Sequence, residues 1–328
     1  MAAKTARPRP RPQANRRSAR QEEEEPEALV ADAVDVVVED LASFSDRTSR
    51  NIIIFGPSGH GKTVLAGGAP NAYFLSTEAG AVAAKRAGSQ AKLIRTPTWE
   101  HVEAGLNWAD KNLTPENWLI VDSATKMQRL LLDWILRANN KRNPKRDLDI
   151  PAVKDHQKWQ NMFLRFIGRL VDAPYNTIMI ATAMYKEDEE DEPLVMPNIL
   201  GKDYTISQNF CAEADMVLYY AVSKTASTDE EIVRRVLAQP YPPYYAKDRF
   251  DCLGHYYDVK EGEYGAMADI ISRIEQSLSD EGADEVTAGE VSPTQLHRPA
   301  ERRRKAGTHK QRSDVHERRV HRARERAS

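Results

Sequence analysis

The sequence predicts an α/β fold, a mainly parallel sheet flanked by helices, and three observations carry that prediction. Short apolar runs alternate with stretches of helical spacing between residues 51 and 278, as expected of strands joined by crossover helices and covered on both faces. One of those runs, residues 51–55, leads into the glycine-rich octet Gly56-Pro57-Ser58-Gly59-His60-Gly61-Lys62-Thr63. Both ends of the chain differ so strongly in composition from the middle that the fold is confined to residues 46–280.

Composition sets the outer limits. Of 328 residues, 41% are hydrophobic, below the roughly 45–50% of an average chain, and the shortfall sits mostly in the ends. Residues 1–45 form a charge-rich arm. Its first part, residues 1–27, runs from Arg7-Pro8-Arg9-Pro10-Arg11-Pro12 to Glu22-Glu23-Glu24-Glu25, too polar to offset ordering entropy by burial, and reads as disordered. Residues 29–44, with Val34, Val36, Val37, Val38 and Leu41, are apolar enough to dock, either on this domain's own core or on a neighbouring subunit. Residues 281–328 form a tail that is strongly basic towards its end, expected to be disordered, with Arg302-Arg303-Arg304-Lys305 and Arg318-Arg319; a nucleic-acid contact and a merely solvated tail are both open. A formal net charge of −2 conceals this asymmetry and says nothing of partners. The two cysteines, Cys211 and Cys252, lack metal-type spacing, so neither a zinc site nor a disulfide framework is expected. No apolar run approaches the roughly 18 residues of a membrane span, and the N-terminus lacks the apolar core of a signal peptide. A cytoplasmic location with no membrane partner is the expectation.

The octet fits a P-loop. Its glycines let the backbone turn so that successive N–H groups face phosphate oxygens, and the loop delivers them to a helix N-terminus, where the dipole favours anions. Residues Gly56 to Thr63 are therefore the candidate ATP-binding set, with Lys62 on the β- and γ-phosphates and Thr63 on Mg²⁺. A glycine-rich turn that happens to contain Lys-Thr is the plain alternative; the apolar run before it and Val64-Leu65-Ala66 after it argue against that.

The remaining elements follow in order. Residues 72–75 read as a buried strand ending at Ser76-Thr77-Glu78, and residues 92–95 as a second, closed by Pro97. Residues 99–112 have helical spacing. Residues 118–122 form an apolar strand with Asp122 at its tip, the pattern of a Walker B strand whose carboxylate joins Thr63 in holding the metal. A helix over 124–138 leads into a basic loop, 139–146, where Lys141, Arg142, Lys145 and Arg146 cluster. The helix over 153–171 carries Trp159, Met162, Phe163 and Phe166 at core spacing. Residues 176–183 form the next strand, ending near Thr182, before an acidic loop that continues to Lys202. A helix at 206–214, strands at 216–221 and 232–237, a break at Pro240-Tyr241-Pro242-Pro243, an extended segment at 244–249 and a helix at 265–278 complete the domain. On the extended segment Lys247 and Arg249, two residues apart, point to one side; Asp248 and Asp251 are their nearest counter-charges in sequence.

These motifs resemble those of the phage-encoded, RecA-related nucleotide-binding proteins of the AAA type, associated with single-strand annealing and recombination. The features that carry the resemblance are Gly56 to Thr63, Thr77-Glu78, Val121-Asp122-Ser123, Ala181-Thr182-Ala183 and Ala246-Lys247-Asp248-Arg249, all within about residues 50–250. It implies a RecA-like core, ATP hydrolysis with Mg²⁺, homo-oligomers with shared active sites, and single-stranded DNA as partner, with a single-strand-binding protein as a further one. It makes Glu78 the general base, because Asp122 is followed by Ser123 and Ala124 and not by the glutamate that AAA+ machines, helicases and terminases usually carry there. Beside Lys62, the pair Lys247 and Arg249 would reach a neighbour's γ-phosphate, and Lys141, Arg142, Lys145 and Arg146 would hold DNA. One departure concerns the sensor: Met184 stands near the position where bacterial recombinases carry Gln and cannot hydrogen-bond a phosphate, which leaves Thr182. The implied function is a DNA-stimulated ATPase that promotes annealing or strand exchange; the alternative is a nucleotide-switched DNA-binding or loading protein with little turnover.

Overall fold

The structure is a computed structural model, described here over residues 49–187, 192–199, 205–224, 232–259 and 265–279. The expectations for the arm at 1–45 and the tail at 281–328, and residues 188–191 and 200–202 of the acidic loop, lie outside these residues. In chain order the elements are β1 (Asn51–Gly56), α1 (Lys62–Ala66), β2 (Ala72–Ser76), α2 (Ala81–Arg86), β3 (Lys92–Arg95), α3 (Trp99–Asn112), β4 (Trp118–Asp122), α4 (Ala124–Arg142) and α5 (Val153–Val171). Then follow β5 (Asn176–Glu187), β6 (Pro193–Pro197), α6 (Thr205–Glu213), β7 (Met216–Lys224), β8 (Ile232–Leu237), β9 (Lys247–Asp248), β10 (Tyr256–Val259) and α7 (Ala266–Leu278).

The centre of the sheet is β1, whose Ile52, Ile53, Ile54 and Phe55 are all fully buried. Four successive apolar residues in a strand need cover on both faces, and these have it. Ile53 and Phe55 pack with residues of α3, α4, α5 and α6, among them Leu106, Leu131, Phe163 and Phe210. Ile52 and Ile54 face the other layer, made by α1, α2 and α7 through Leu65, Ala84 and Ile270. The strand order is β10-β8-β7-β1-β5-β4-β2-β3. From β7 to β3 all pairs are parallel, so the expected parallel sheet is the core of the domain. Four strands depart from it: β8 and β10 extend the sheet antiparallel beyond β7, β9 pairs antiparallel with β7, and β6 with β5. This mixed α/β sheet with flanking helices is a RecA-like P-loop fold. Among the described residues no helix is long and apolar enough to cross a membrane.

The sequence expectations are corrected at three places that bear on the site. The helix expected to stop at residue 138 continues to Arg142. Asn139 and Asn140 are poor helix formers, but their side-chain amides donate to Asp155 Oδ1 (2.7 Å) and to the Arg146 carbonyl (2.8 Å), bonds that span a turn of chain no local pattern reveals. The strand expected to end at Ala183 runs to Glu187 and folds back as a hairpin onto β6, where a loop was expected. Val195 and Met196 supply the reason, being buried against the α5 and α6 layer. The segment 244–249 is a strand only at Lys247 and Asp248.

Candidate nucleotide site

The parallel register brings the C-terminal ends of β1, β5, β4 and β2 to one edge of the sheet. Gly56 pairs with Thr182, Asp122 with Ile180, and Ser76 with Asp122. At this edge chain direction changes from strand to helix, so N–H groups and side chains gather above the sheet. Gly61, which caps α1, has φ +97°, a left-handed conformation that L side chains rarely adopt. Gly56 is required for a different reason: a Cβ there would stand 2.0 Å from the Tyr220 carbonyl oxygen of β7. The loop is further tied to β7 through His60, whose Nδ1 accepts the Val222 N–H at 3.1 Å. That tie was not visible in the motif, since it depends on which strand neighbours β1.

Lys62 is buried, and its Nζ donates back to the carbonyls of Gly56 (2.9 Å) and Pro57 (2.7 Å). Burial pushes its pKa down to about 8 against the opposing pull of Asp122. The ammonium thus rests inside the loop it would leave to meet a phosphate. Thr63 Oγ1 lies 3.3 Å and 3.4 Å from the two carboxylate oxygens of Asp122. Burial raises the Asp122 pKa to about 6, with Glu78 adding to the rise and the Thr63 hydroxyl and Lys62 opposing it. A buried carboxylate whose charge is disfavoured by burial, facing a hydroxyl, is a hard-oxygen donor pair of the kind Mg²⁺ uses when phosphates and water complete its shell. Among the described residues no group of three or more His, Cys, Asp or Glu could hold a metal by itself.

Glu78 follows β2. It is exposed, while its backbone is fixed by Ser76, whose Oγ donates to the Glu78 carbonyl at 2.8 Å. The turn after it packs on the Thr63–Asp122 pair: a Cβ on Gly80 would meet Asp122 Oδ2 at 3.1 Å and Thr63 Oγ1 at 3.7 Å. Thr77 N–H binds the Asp122 carbonyl at 3.0 Å, locking β2's end to β4's. Thr182 is held in the same constellation, its N–H donating to Thr125 Oγ1 (3.2 Å) at the start of α4. Lys62, Thr63, Glu78, Asp122 and Thr182 are therefore assembled at one edge.

The other candidates lie elsewhere. Lys247 and Arg249 sit at the opposite edge, since β9 pairs with the start of β7 and Arg249 N–H binds the Asp215 carbonyl beside the first residue of β1. Strand rise puts that level roughly 16 Å from Gly56. Both side chains do point to one region, as their spacing implied. Lys247 Nζ donates to the carbonyls of Ala212 (3.0 Å) and Ala214 (2.7 Å), and Arg249 pairs with Asp215 at 2.7 Å. Asp215, buried and also accepting Asn51 N–H at 2.9 Å, is the counter-charge; Asp248 is occupied with the N–H groups of Phe250, Cys252 and Leu253. The basic cluster at the end of α4 and just beyond it is also remote, because α4 starts beside Asp122 and runs away for 19 residues, roughly 28 Å. Lys141, Arg142 and Lys145 are exposed and hold no side-chain partner among the described residues. Arg146 differs from them: it is paired with the buried carboxylate of Asp155, at the start of α5.

No curated protein matches the chain. Among solved structures it is similar to the flagellar accessory protein FlaH from Methanocaldococcus jannaschii, with 12% identity, a TM-score of 0.30, and coverage of 61% of this chain and 82% of that one. The AAA domain family matches residues 48–250, which span every strand of the parallel core and all the site residues above; the chain belongs to that family.

Proposed function

We propose that the protein binds ATP with Mg²⁺ and hydrolyses it, and that it acts on single-stranded DNA in phage recombination or replication, promoting annealing or strand exchange as a homo-oligomer. The observation that carries the nucleotide part is the convergence of Lys62, Thr63 and Asp122 above the C-terminal ends of β1 and β4. Thr63 and Asp122 would hold Mg²⁺, which supplies charge neutralisation at the phosphates. Lys62 exchanges its two carbonyl partners for phosphate oxygens. Glu78, exposed and two residues from the turn that packs on Asp122, takes the proton of the attacking water. The DNA part rests on the exposed cations Lys141, Arg142 and Lys145.

A purified full chain assayed for phosphate release with and without single-stranded DNA tests both parts. Turnover that depends on Mg²⁺ and rises with DNA supports the reading. Nucleotide binding with negligible turnover in either condition replaces it with a nucleotide-switched loading protein.

A further inference from the structure

The geometry points to Asn198 as a catalytic residue whose side-chain amide donates to the γ-phosphate of bound ATP, an inference that rests on the ATPase reading above. Sequence places Asn198 sixteen residues after Thr182 and outside every motif. The β5–β6 hairpin brings it back: Ala183 pairs with Pro197, so the next position on each strand sets Asn198 beside Thr182, and Asn198 N–H binds the Thr182 carbonyl at 2.7 Å. Thr182 in turn pairs with Gly56 of the P-loop.

The backbone of Asn198 is held from a second side. Its carbonyl accepts from Thr125 Oγ1 and from Gln128 Nε2, both at 3.1 Å. These two residues lie on the first turns of α4, just past Asp122, and both are buried, Gln128 completely. Thr125 Oγ1 also receives the Thr182 N–H, so one hydroxyl ties the end of β5 to the end of β6. Gln128 is itself fixed, its carbonyl accepting from Trp159 Nε1 at 2.7 Å. Buried polar side chains on α4 thus help to immobilise the main chain of Asn198 between the P-loop strand's neighbour and the helix that follows Asp122.

The side chain of that residue is left unused. Asn198 is half-buried, and its amide has no hydrogen-bond partner among the described residues. A fixed backbone carrying an unengaged donor at the phosphate edge is what preorganised stabilisation of developing charge requires. It also answers the question left by Met184: a polar group is delivered to the sensor strand's end from β6 and not from β5. Because the lock acts through the main-chain N–H and C=O, changing the side chain leaves it intact.

Full-length Asn198→Ala and Asn198→Asp, compared with wild type for turnover and for affinity to ADP and to the non-hydrolysable analogue AMP-PNP, provide the test. Asn198→Ala should lower turnover about 10²-fold, the loss typical of one such donor, and weaken AMP-PNP relative to ADP about tenfold, with ADP affinity and melting temperature unchanged. Asn198→Asp, of the same shape but anionic, should lose more on both counts. Turnover and the AMP-PNP to ADP ratio both within twofold of wild type would overturn the assignment. So would parallel losses of ADP affinity and melting temperature, which mark a structural role. If wild type binds neither nucleotide and behaves as Lys62→Ala does, the ATPase reading itself fails, and the role of Asn198 falls with it.

Discussion

Thr63 Oγ1 stands 3.3 Å from Asp122 Oδ2 although 59 residues separate them in the chain. The contact joins the first turn of α1 to the tip of β4 across the gap above β5. It is a stabilising contact for the hydroxyl and an unfavourable site for the carboxylate, whose pKa is raised by burial to about 6. Such a site is maintained at the expense of stability and gains its charge partner with ligand.

That cost has a sign. A carboxyl whose pKa is near 3.8 unfolded and about 6 folded holds its proton more tightly in the folded state, so its contribution becomes unfavourable as pH rises through this window. In EDTA, Asp122→Asn should melt higher than wild type at pH 8, by an amount on the order of 3 kcal/mol from a shift of about two units. The advantage should vanish below pH 4. Thermal melts at both pH values check it, and Mg²⁺ with nucleotide should stabilise wild type but not the variant.

Lys62→Ala and Glu78→Gln should fail differently. The first removes the cation of the phosphate cradle and should abolish nucleotide binding. The second should leave binding near wild type and slow turnover by roughly 10²- to 10⁴-fold. Calorimetric titration together with a phosphate-release assay separates the two, and Glu78→Gln with wild-type turnover would remove Glu78 as the base.

Gly56→Ala tests the close approach of β1 to β7. A Cβ 2.0 Å from the Tyr220 carbonyl must push the strands apart. The expected loss is about 1–3 kcal/mol or more, read as a lower denaturant midpoint, whereas Gly59→Ala, with no atom within 4 Å of its Cβ position, should show strain from its φ of +82° but no such clash.

For DNA, neutralising Lys141, Lys145 and Arg142 in the full chain should flatten the salt dependence of single-strand binding by roughly 2 in log–log slope, at about 0.7 per phosphate contact. Arg146→Ala should leave that slope alone and lower the melting temperature, because its partner Asp155 is buried. An unchanged slope in the triple variant would move the DNA contact off this surface.

Lys247 and Arg249 are engaged within their own chain at the sheet edge away from the P-loop. A role at a neighbour's γ-phosphate therefore requires assembly to release them from Ala212, Ala214 and Asp215. Mixing Arg249→Ala with Lys62→Ala should restore turnover if subunits share sites. Co-assembled mixtures that stay inactive would confine the pair to its structural bonds with α6 and the turn that leads from it into β7.

Residues 51–63 and 118–122 were legible from sequence because their signals are local: an all-apolar strand needs two covered faces, and a turn onto a helix N-terminus needs glycine. The extents of α3, Trp99–Asn112, and α5, Val153–Val171, were legible for the same reason, a periodicity that lies within the element. Tertiary structure alone decided the rest. The β5–β6 hairpin, the persistence of α4 through Asn139 and Asn140, the pairing of Arg249 with Asp215 and the placing of Asn198 beside Thr182 all depend on partners 6 to 73 residues away. Residue type and spacing report what a segment needs to bury, but hydrogen bonds between distant segments are chosen only when packing has brought their backbones within reach.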